Sequence, residues 1–155
     1  MLKFISAFLP LVFSLTLHAQ EGRNVSKYNL EVGTGLKGYD PVAVFPEGGG
    51  SPAQGKTEHS LLHAGVLYYF ASAANMKRFS SDPEKYEPTY GGWCAYAMAS
   101  GAQVDIDPTL VTISGRRAHY FVARRAKASF DRDVAGFEAN ADREWRRISG
   151  EAPRR

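Results

Sequence analysis

A double glycine followed directly by a short apolar run is the feature that most constrains how this chain can fold. Gly91-Gly92 stands just ahead of the run that begins at Trp93. Glycine adopts positive φ angles and lets another segment approach its backbone closely, so the pair predicts a tight bend into a helix over residues 93–99. In that helix Cys94 and Met98 lie four residues apart and would share one face. The rest of the chain is expected to pack around this stretch.

The N-terminal end of the chain has the composition of a secretory signal peptide. Lys3 gives a positive start, residues 4–17 are mainly apolar, and Leu17-His18-Ala19 offers a small-residue cleavage site before Gln20. The apolar run is shorter than the roughly 20 residues that a transmembrane helix needs. We therefore predict a signal peptide over residues 1–19 and a periplasmic or secreted mature protein without a transmembrane segment.

Charge and length point to one small domain and disfavour nucleic acid as a partner. The chain has 19 Lys and Arg residues against 16 Asp and Glu residues, a formal net charge of only +3 at pH 7. A nucleic-acid-binding domain usually shows a much stronger basic excess. The length suits a single domain with a hydrophobic core. We predict a leader segment over residues 20–35, the domain over 36–149 and a tail over 150–155.

Local patterns predict a mixed fold. Ser72 is a suitable N-cap for one helix, and Pro83 occupies the favoured first position of the next. The predicted elements in chain order are a strand at 42–45, a hairpin of 58–62 and 66–70, helices at 73–80, 83–86 and 93–99, a hairpin of 110–113 and 118–123, and a helix at 127–148. Together they predict an α+β fold, with a small antiparallel sheet of two hairpins, short helices and a longer C-terminal helix.

The last predicted helix carries an apolar stripe on an otherwise charged surface. Its members recur every three or four residues: Phe130, Val134, Phe137, Ala141, Trp145 and Ile148. Such spacing is typical of a helix that packs one face against a core. Gly136 is the position where we expect the helix to kink or to be interrupted.

Several of these pieces, taken in order, resemble the YHS-domain family in its small secreted form. The resemblance covers about residues 36–148 and is carried by Gly38–Ala43, Gly65–Phe70, Asn75–Phe79, Asp82–Tyr86, Pro88–Ala95 and a late helix with Ala141-Asp142 and Trp145. Each piece is weak alone, whereas their order along the chain is specific. The resemblance implies a YHS-like fold for the predicted α+β domain.

The same resemblance does not carry over a metal site. Metal-binding members of the family typically have one cysteine after Asp-Pro-Val and two more after the Tyr-Phe strand. The corresponding positions here are Ala43, Ala71 and Asn75. A metal site in this chain would therefore have to be a different one, built around Cys94.

Cys94 and Met98 are the first candidates for such a site. Thiolate, thioether and imidazole ligands select soft ions such as copper. A third ligand would come from His119, His59 or His63, since the fourth histidine lies in the predicted signal peptide. The competing interpretation is a core cysteine and a core methionine, because both residues are common in hydrophobic interiors. A single cysteine cannot form a disulfide within the chain.

Tyr39, Asp40 and Tyr90 form a second candidate site. An aspartate among tyrosines beside a thiol could bind a small polar ligand, or it could simply hold a hydrogen-bonded turn. A thiol enzyme would need a histidine paired with Cys94 and an orienting group, and the sequence assigns no such group. We therefore predict a non-catalytic binding module whose partner is a metal ion or an unidentified periplasmic protein. The alternative is a structural or protein-interaction domain without a metal.

Overall fold

A four-stranded sheet forms one half of the fold in the computed structural model, which describes residues 22–155. The predicted signal peptide lies outside this range. The strands are β1 (Leu30–Glu31), β2 (Thr34–Gly35), β3 (Lys56–His63) and β4 (Val66–Phe70), in the spatial order β1-β2-β4-β3. Strands β2 and β4 are parallel, and the other neighbouring strands are antiparallel. The β3–β4 pair is the first predicted hairpin.

Helices and a second sheet form the other half. The helices are α1 (Ala73–Ser81), α2 (Pro83–Tyr86), α3 (Ala95–Met98), α4 (Arg124–Asp131) and α5 (Val134–Ser149). Strands β5 (Asp107–Ser114) and β6 (Arg117–Phe121) pair antiparallel as the second predicted hairpin. The predicted α+β class is confirmed. Helix α1 begins as expected, since the Ser72 side chain accepts a hydrogen bond from the backbone N–H of Asn75.

The predicted bend at the double glycine is confirmed, and it lies in the core. Gly91 has a φ of 60° and Gly92 a φ of 90°. Tyr28 and Trp145 pack so closely over Gly91 that they leave no room for a side chain there. The apolar stripe of the last helices faces the same core, where Trp145 is 1% exposed.

The strand predicted at residues 42–45 is wrong, because these residues form a turn. The carboxylate of Asp40 accepts hydrogen bonds from the backbone N–H groups of Val42 and Ala43, and Phe45 N–H donates to the carbonyl of Val42. These local bonds satisfy the backbone of a buried segment without a neighbouring strand. The apolar run thus reflects burial rather than strand pairing.

Two predicted helices differ from the structure at their ends. The helix predicted at 93–99 is only α3, because Cys94 has a ψ of 117° and its N–H donates to the carbonyl of Val104. The helix predicted at 127–148 is two helices. Its interruption falls at Arg132-Asp133 rather than at Gly136, and the Asp133 side chain caps α5 by accepting from the Gly136 N–H.

The segments predicted as leader and tail are packed against the domain. Strands β1 and β2 lie within the predicted leader and extend the sheet through Leu67 of β4. In the predicted tail, Glu151 is 5% exposed. Both segments contribute side chains to the interior, so the packed region extends beyond residues 36–149 in both directions.

Candidate functional site

Cys94 and Met98 lie at the two ends of α3, in the centre of the core. Each is 0% exposed. Helix α3 packs against β6, the strand that carries His119, and against α4 and α5. One of the three candidate histidines is therefore on an element that contacts the helix of the two sulfur-containing residues.

The imidazole of His119 has one paired and one unpaired nitrogen. Its Nε2 lies 2.7 Å from Oε1 of Glu138, whereas Nδ1 is buried without a hydrogen-bond partner among residues 22–155. Burial lowers the pKa of His119, although the hydrogen bond to Glu138 opposes this effect. Since a carboxylate only accepts, Nε2 carries the proton of the neutral ring, and Nδ1 keeps its lone pair. Such a nitrogen is competent to bind a metal ion.

The other two candidate histidines lie on a strand of the other sheet, not on β6. His59 and His63 are on β3, in the four-stranded sheet. His63 packs edge-on against Phe79, and its Nε2 is 3.6 Å from Oε1 of Glu87. Within the described part of the chain, no group of three or more His, Cys, Asp or Glu side chains could hold a metal ion. A metal site in the described range would therefore need a ligand of another kind as well, for which the sequence offers the thioether of Met98.

The second predicted site is divided between different hydrogen-bond networks. Tyr90 donates its hydroxyl to Asp142 at 2.8 Å and accepts from Arg117 at 3.1 Å. Asp40 instead accepts from backbone and amide N–H groups, as described below. Tyr39 is half-buried, and its backbone pairs with Gln54. No hydrogen bond joins these three residues to one another in the described range, and the turn interpretation of Asp40 agrees with the observed contacts.

The Asp40 carboxylate joins the three positions at which the family resemblance would place cysteines. It accepts from the N–H of Ala43 at 3.2 Å, from the N–H of Ala71 at 2.8 Å and from Nδ2 of Asn75 at 2.7 Å. Residues from three separate segments therefore meet around one buried carboxylate. These hydrogen bonds satisfy both oxygens of that carboxylate.

An arginine–carboxylate cluster, defined as Arg23, Glu87, Glu151 and Arg154, was not predicted from the sequence. Glu87 follows α2, and its side chain is 3% exposed. Both terminal nitrogens of Arg23 donate to its two oxygens, at 2.9 and 2.8 Å. Tyr68 donates its hydroxyl to the same carboxylate at 2.8 Å. The arrangement is a bidentate ion pair in the interior.

The C-terminal segment closes the arginine–carboxylate cluster from the other side. Nη2 of Arg154 donates to the Tyr28 hydroxyl at 2.8 Å, and Tyr28 donates in turn to Oε2 of Glu151 at 2.7 Å. Nη2 of Arg154 also lies 3.6 Å from Oε1 of Glu87. The two terminal segments of the described chain are thus joined through one buried carboxylate.

The charges of the cluster shift the pKa values of their neighbours. Burial alone would raise the pKa of Glu87, but the hydrogen bond from Arg23 and the charges of Arg154 and Arg23 hold it below its ordinary value. Burial together with the Glu87 charge raises the pKa of Tyr68 well above its usual range. Glu87 is therefore ionised and Tyr68 protonated at neutral pH.

The sequence contains only an indirect signal for this cluster. Glu87 interrupts the aromatic and apolar stretch around the double glycine, and a carboxylate in a buried stretch requires a cation. Nothing in the local pattern identifies that cation, because Arg23 and Arg154 lie in the segments assigned to the leader and the tail. Only the tertiary structure brings them to Glu87.

Comparison with known proteins identifies no relative of the chain. No protein-family model matches it, and no significant match occurs among curated proteins or solved structures. None of the helices within residues 22–155 is long and apolar enough to cross a membrane.

Tyr120 and Tyr68 provide a matched test of the interior hydrogen bonds. Both are at most 2% exposed, but the Tyr120 hydroxyl has no hydrogen-bond partner among the described residues, whereas the Tyr68 hydroxyl bonds to Glu87. We expect Tyr120→Phe to be neutral or stabilising by up to about 1 kcal/mol, because it removes an unsatisfied buried group. Tyr68→Phe should destabilise by about 1.5–3 kcal/mol, since it removes a bond to a charged group. Urea unfolding of both variants measures the difference, and equal effects would contradict the assigned hydrogen bonds.

Proposed function

We propose that the chain is an exported, non-catalytic binding module, similar to secreted YHS-domain proteins, that holds a soft transition metal such as copper. Cys94, Met98 and His119 would be the ligands. The observation that carries the proposal is the buried, unpartnered Nδ1 of His119, on a strand that packs against the helix of the two sulfur-containing residues. A thiolate, a thioether and an imidazole together form a donor set that favours Cu(I) over harder ions.

The contact between His119 and Glu138 supports this proposal. A histidine that binds a metal ion usually donates its other ring N–H to a carboxylate, which fixes the tautomer and the ring orientation. The 2.7 Å contact between Nε2 and Glu138 has this form. Because Cys94 and Met98 are fully enclosed, we expect the ion to be retained rather than rapidly exchanged.

The environment of Asp40 supports the proposed similarity to YHS-domain proteins. The family resemblance predicts that positions 43, 71 and 75 lie together, although they are far apart in the sequence. All three donate to the Asp40 carboxylate. This meeting of three segments agrees with the resemblance, in which the same three positions carry metal-binding cysteines.

The second candidate is a structural or interaction domain without a metal. The complete burial of Cys94 and Met98 in the hydrophobic core favours it, since both side chains pack well among apolar neighbours. The same burial disfavours a thiol enzyme, because no substrate reaches a sulfur atom that is 0% exposed.

Cu(I) affinity, measured by competition with a chelator of known strength, tests the proposal. We expect the wild-type protein to bind one equivalent, and we expect Cys94→Ser and Met98→Leu to weaken binding strongly. Met98→Leu is the sharper variant, because leucine replaces methionine in a core at little cost in stability. Glu138→Gln should weaken binding by about 10–100-fold through His119. His59→Gln is the matched control and should bind like wild type.

Two results would overturn the metal assignment. One is a wild-type protein that retains no copper in competition. The other is copper binding that survives both sulfur substitutions unchanged. Either result, with the variants folded as judged by circular dichroism, favours the metal-free domain.

A further inference from the structure

A cavity of about 190 Å³ lies against the arginine–carboxylate cluster, and no residue of α3 lines it. Its lining comes from the N-terminal segment, the end of β3, helix α2 with the residue that follows it, and the C-terminal segment: Arg23, His63, Glu84, Glu87, Glu151, Ala152 and Arg154. Every side chain in this lining except that of Ala152 is ionisable. A small volume whose lining residues are almost all ionisable suits a small ligand with a charged or polar group.

The hydrogen-bond capacity of the two arginines is unevenly used. Arg23 donates from all three of its nitrogens, to Glu87 and to the carbonyl of Ala64. Arg154 makes a single hydrogen bond among the described residues, to Tyr28, and its Nε is buried without a partner. A guanidinium has five N–H donors, so most of the donors of Arg154 have no protein acceptor among residues 22–155. Its side chain is nevertheless only 14% exposed.

The carboxylates of the cluster do not accept hydrogen bonds from the remaining N–H donors of Arg154. Oε1 of Glu87 is 3.6 Å and Oε2 of Glu151 is 3.9 Å from the nearest Arg154 nitrogen, beyond hydrogen-bond range. Both carboxylates are already held by other donors, Arg23 and Tyr28 among them. An acceptor in the cavity would therefore complete the coordination of Arg154 without displacing an existing bond.

The charge balance limits what that acceptor can be. Arg23 and Arg154 are formally balanced by Glu87 and Glu151, and the exposed Glu84 adds a negative charge at the rim. A multiply charged anion would be repelled by these carboxylates. A singly charged carboxylate can be accommodated if His63 takes up a proton, because His63 is the only other group in the lining that can gain a positive charge.

We propose that this cavity binds a small monocarboxylate, with the Arg154 guanidinium as its main donor and His63 protonated in the bound state. A planar carboxylate matches the fork of guanidinium donors. The inference is independent of the proposed copper site, because the two share no residue. Its ligand class is defined by charge, size and acceptor geometry.

Proton uptake by His63 makes the binding depend on pH. Burial, together with the charges of Arg23 and Arg154, lowers the pKa of His63, whereas the Glu87 charge opposes this shift. Phe79 packs on the ring, and Glu84 and Glu151 are the remaining charged groups at the cavity. A bound anion raises the pKa of His63, so binding and protonation favour each other. The affinity should therefore increase as the pH falls from 7.5 to 5.5.

The test is a titration of the purified protein with sodium acetate, followed by backbone ¹H–¹⁵N shifts at constant ionic strength with chloride as the balancing anion. We expect saturable shifts near the cavity with a Kd near about 1 mM at pH 5.5, within the range that a ligand of four heavy atoms can reach. At pH 7.5 the affinity should be at least about fivefold weaker, as coupling to one proton allows. Sulfate, which is doubly charged throughout this pH range, should bind more weakly than acetate.

Matched variants separate this site from general effects of charge. Arg154→Gln should lower acetate affinity at least about tenfold, as expected for loss of a charge-assisted contact. Arg155→Gln, the exposed neighbouring arginine, should bind like wild type. His63→Gln should remove the pH dependence. If Arg154→Gln fails to fold, the His63→Gln titration still decides the proposal.

The proposal is overturned by any of four results. These are no saturable acetate binding at pH 5.5, equal binding by wild type and folded Arg154→Gln, tighter binding of sulfate than of acetate, or an unchanged pH dependence in His63→Gln.

Discussion

Replacing Glu87 with glutamine is expected to destabilise the folded chain by about 3–5 kcal/mol. The side chain is 3% exposed and accepts two hydrogen bonds from Arg23 and one from Tyr68. Glutamine removes the negative charge and leaves Arg23 as a cation in the interior without its counter-charge, which is the costly way to break a buried ion pair. Because a domain of this size is stable by only about 5–15 kcal/mol, the loss should be evident in urea unfolding at pH 7.

Asp82→Asn is the matched control for Glu87→Gln. Asp82 also pairs with an arginine, Arg116, but both side chains of that pair are exposed, at 39% and 55%. Exposed pairs contribute at most about 1 kcal/mol, so this variant should unfold close to wild type. Comparable losses in the two variants would show that burial does not control the strength of these ion pairs.

The pH dependence of the Glu87→Gln effect provides an independent measurement. Glu87 has a pKa below its ordinary value of 4.5 in the folded chain, so its contribution to stability is fully present above pH 4.5. It is lost as the pH falls through the lower, folded-state pKa. The stability difference between wild type and Glu87→Gln should therefore shrink in acid below pH 4.5. A difference that stays constant down to pH 2 would contradict the assigned ion pair.

Replacing Gly91 with alanine is expected to destabilise the fold by about 2–4 kcal/mol. A Cβ atom there would lie 2.7 Å from Cη2 of Trp145 and 3.1 Å from Cδ1 of Tyr28. Both aromatic residues are buried, so relieving the overlap requires core movement that costs about 1–3 kcal/mol. The φ of 60° adds roughly 1 kcal/mol or more, because alanine disfavours the left-handed region.

Gly115→Ala separates the two contributions. Gly115 also has a φ of 60°, but a Cβ atom there meets nothing within 4 Å. This variant should therefore lose only the backbone contribution, about 1–2 kcal/mol. The difference between the two alanine variants in thermal or urea unfolding measures the overlap with Trp145 and Tyr28. If Gly91→Ala is no less stable than Gly115→Ala, the close packing of the two aromatic rings over Gly91 is contradicted.

Much of the local structure follows from the sequence because local physics determines it. Ser72 caps α1 through a bond to a residue three positions away, and the β3–β4 hairpin follows from its alternating pattern around Ala64-Gly65. The positive φ angles at Gly91 and Gly92 were likewise predictable, since few other residues tolerate them. Each of these features depends on neighbours within a few residues.

The wrong predictions concern segments in which an aspartate side chain accepts hydrogen bonds from nearby backbone N–H groups. Residues 42–45 have the composition of a strand, but the Asp40 carboxylate satisfies their N–H groups in a turn. The last helix is divided at Asp133, whose side chain caps the new helix. In both places an aspartate side chain competes with the backbone carbonyls for the same N–H groups. The periodicity of the sequence does not show which acceptor those N–H groups will have.

In the candidate sites, too, the sequence predicts contacts between residues close in the chain but not between residues far apart in it. The sequence by itself placed Cys94 beside Met98 and identified the Gly91-Gly92 bend, because spacing along the chain determines both. Only the tertiary structure shows that His119 lies on the strand that contacts α3. It also brings Arg23 and Arg154 to Glu87, from which they are 64 and 67 positions away in the chain. Buried charges select their partners by proximity after the chain has folded. No local pattern in the sequence predicts which distant charged residues will lie next to each other.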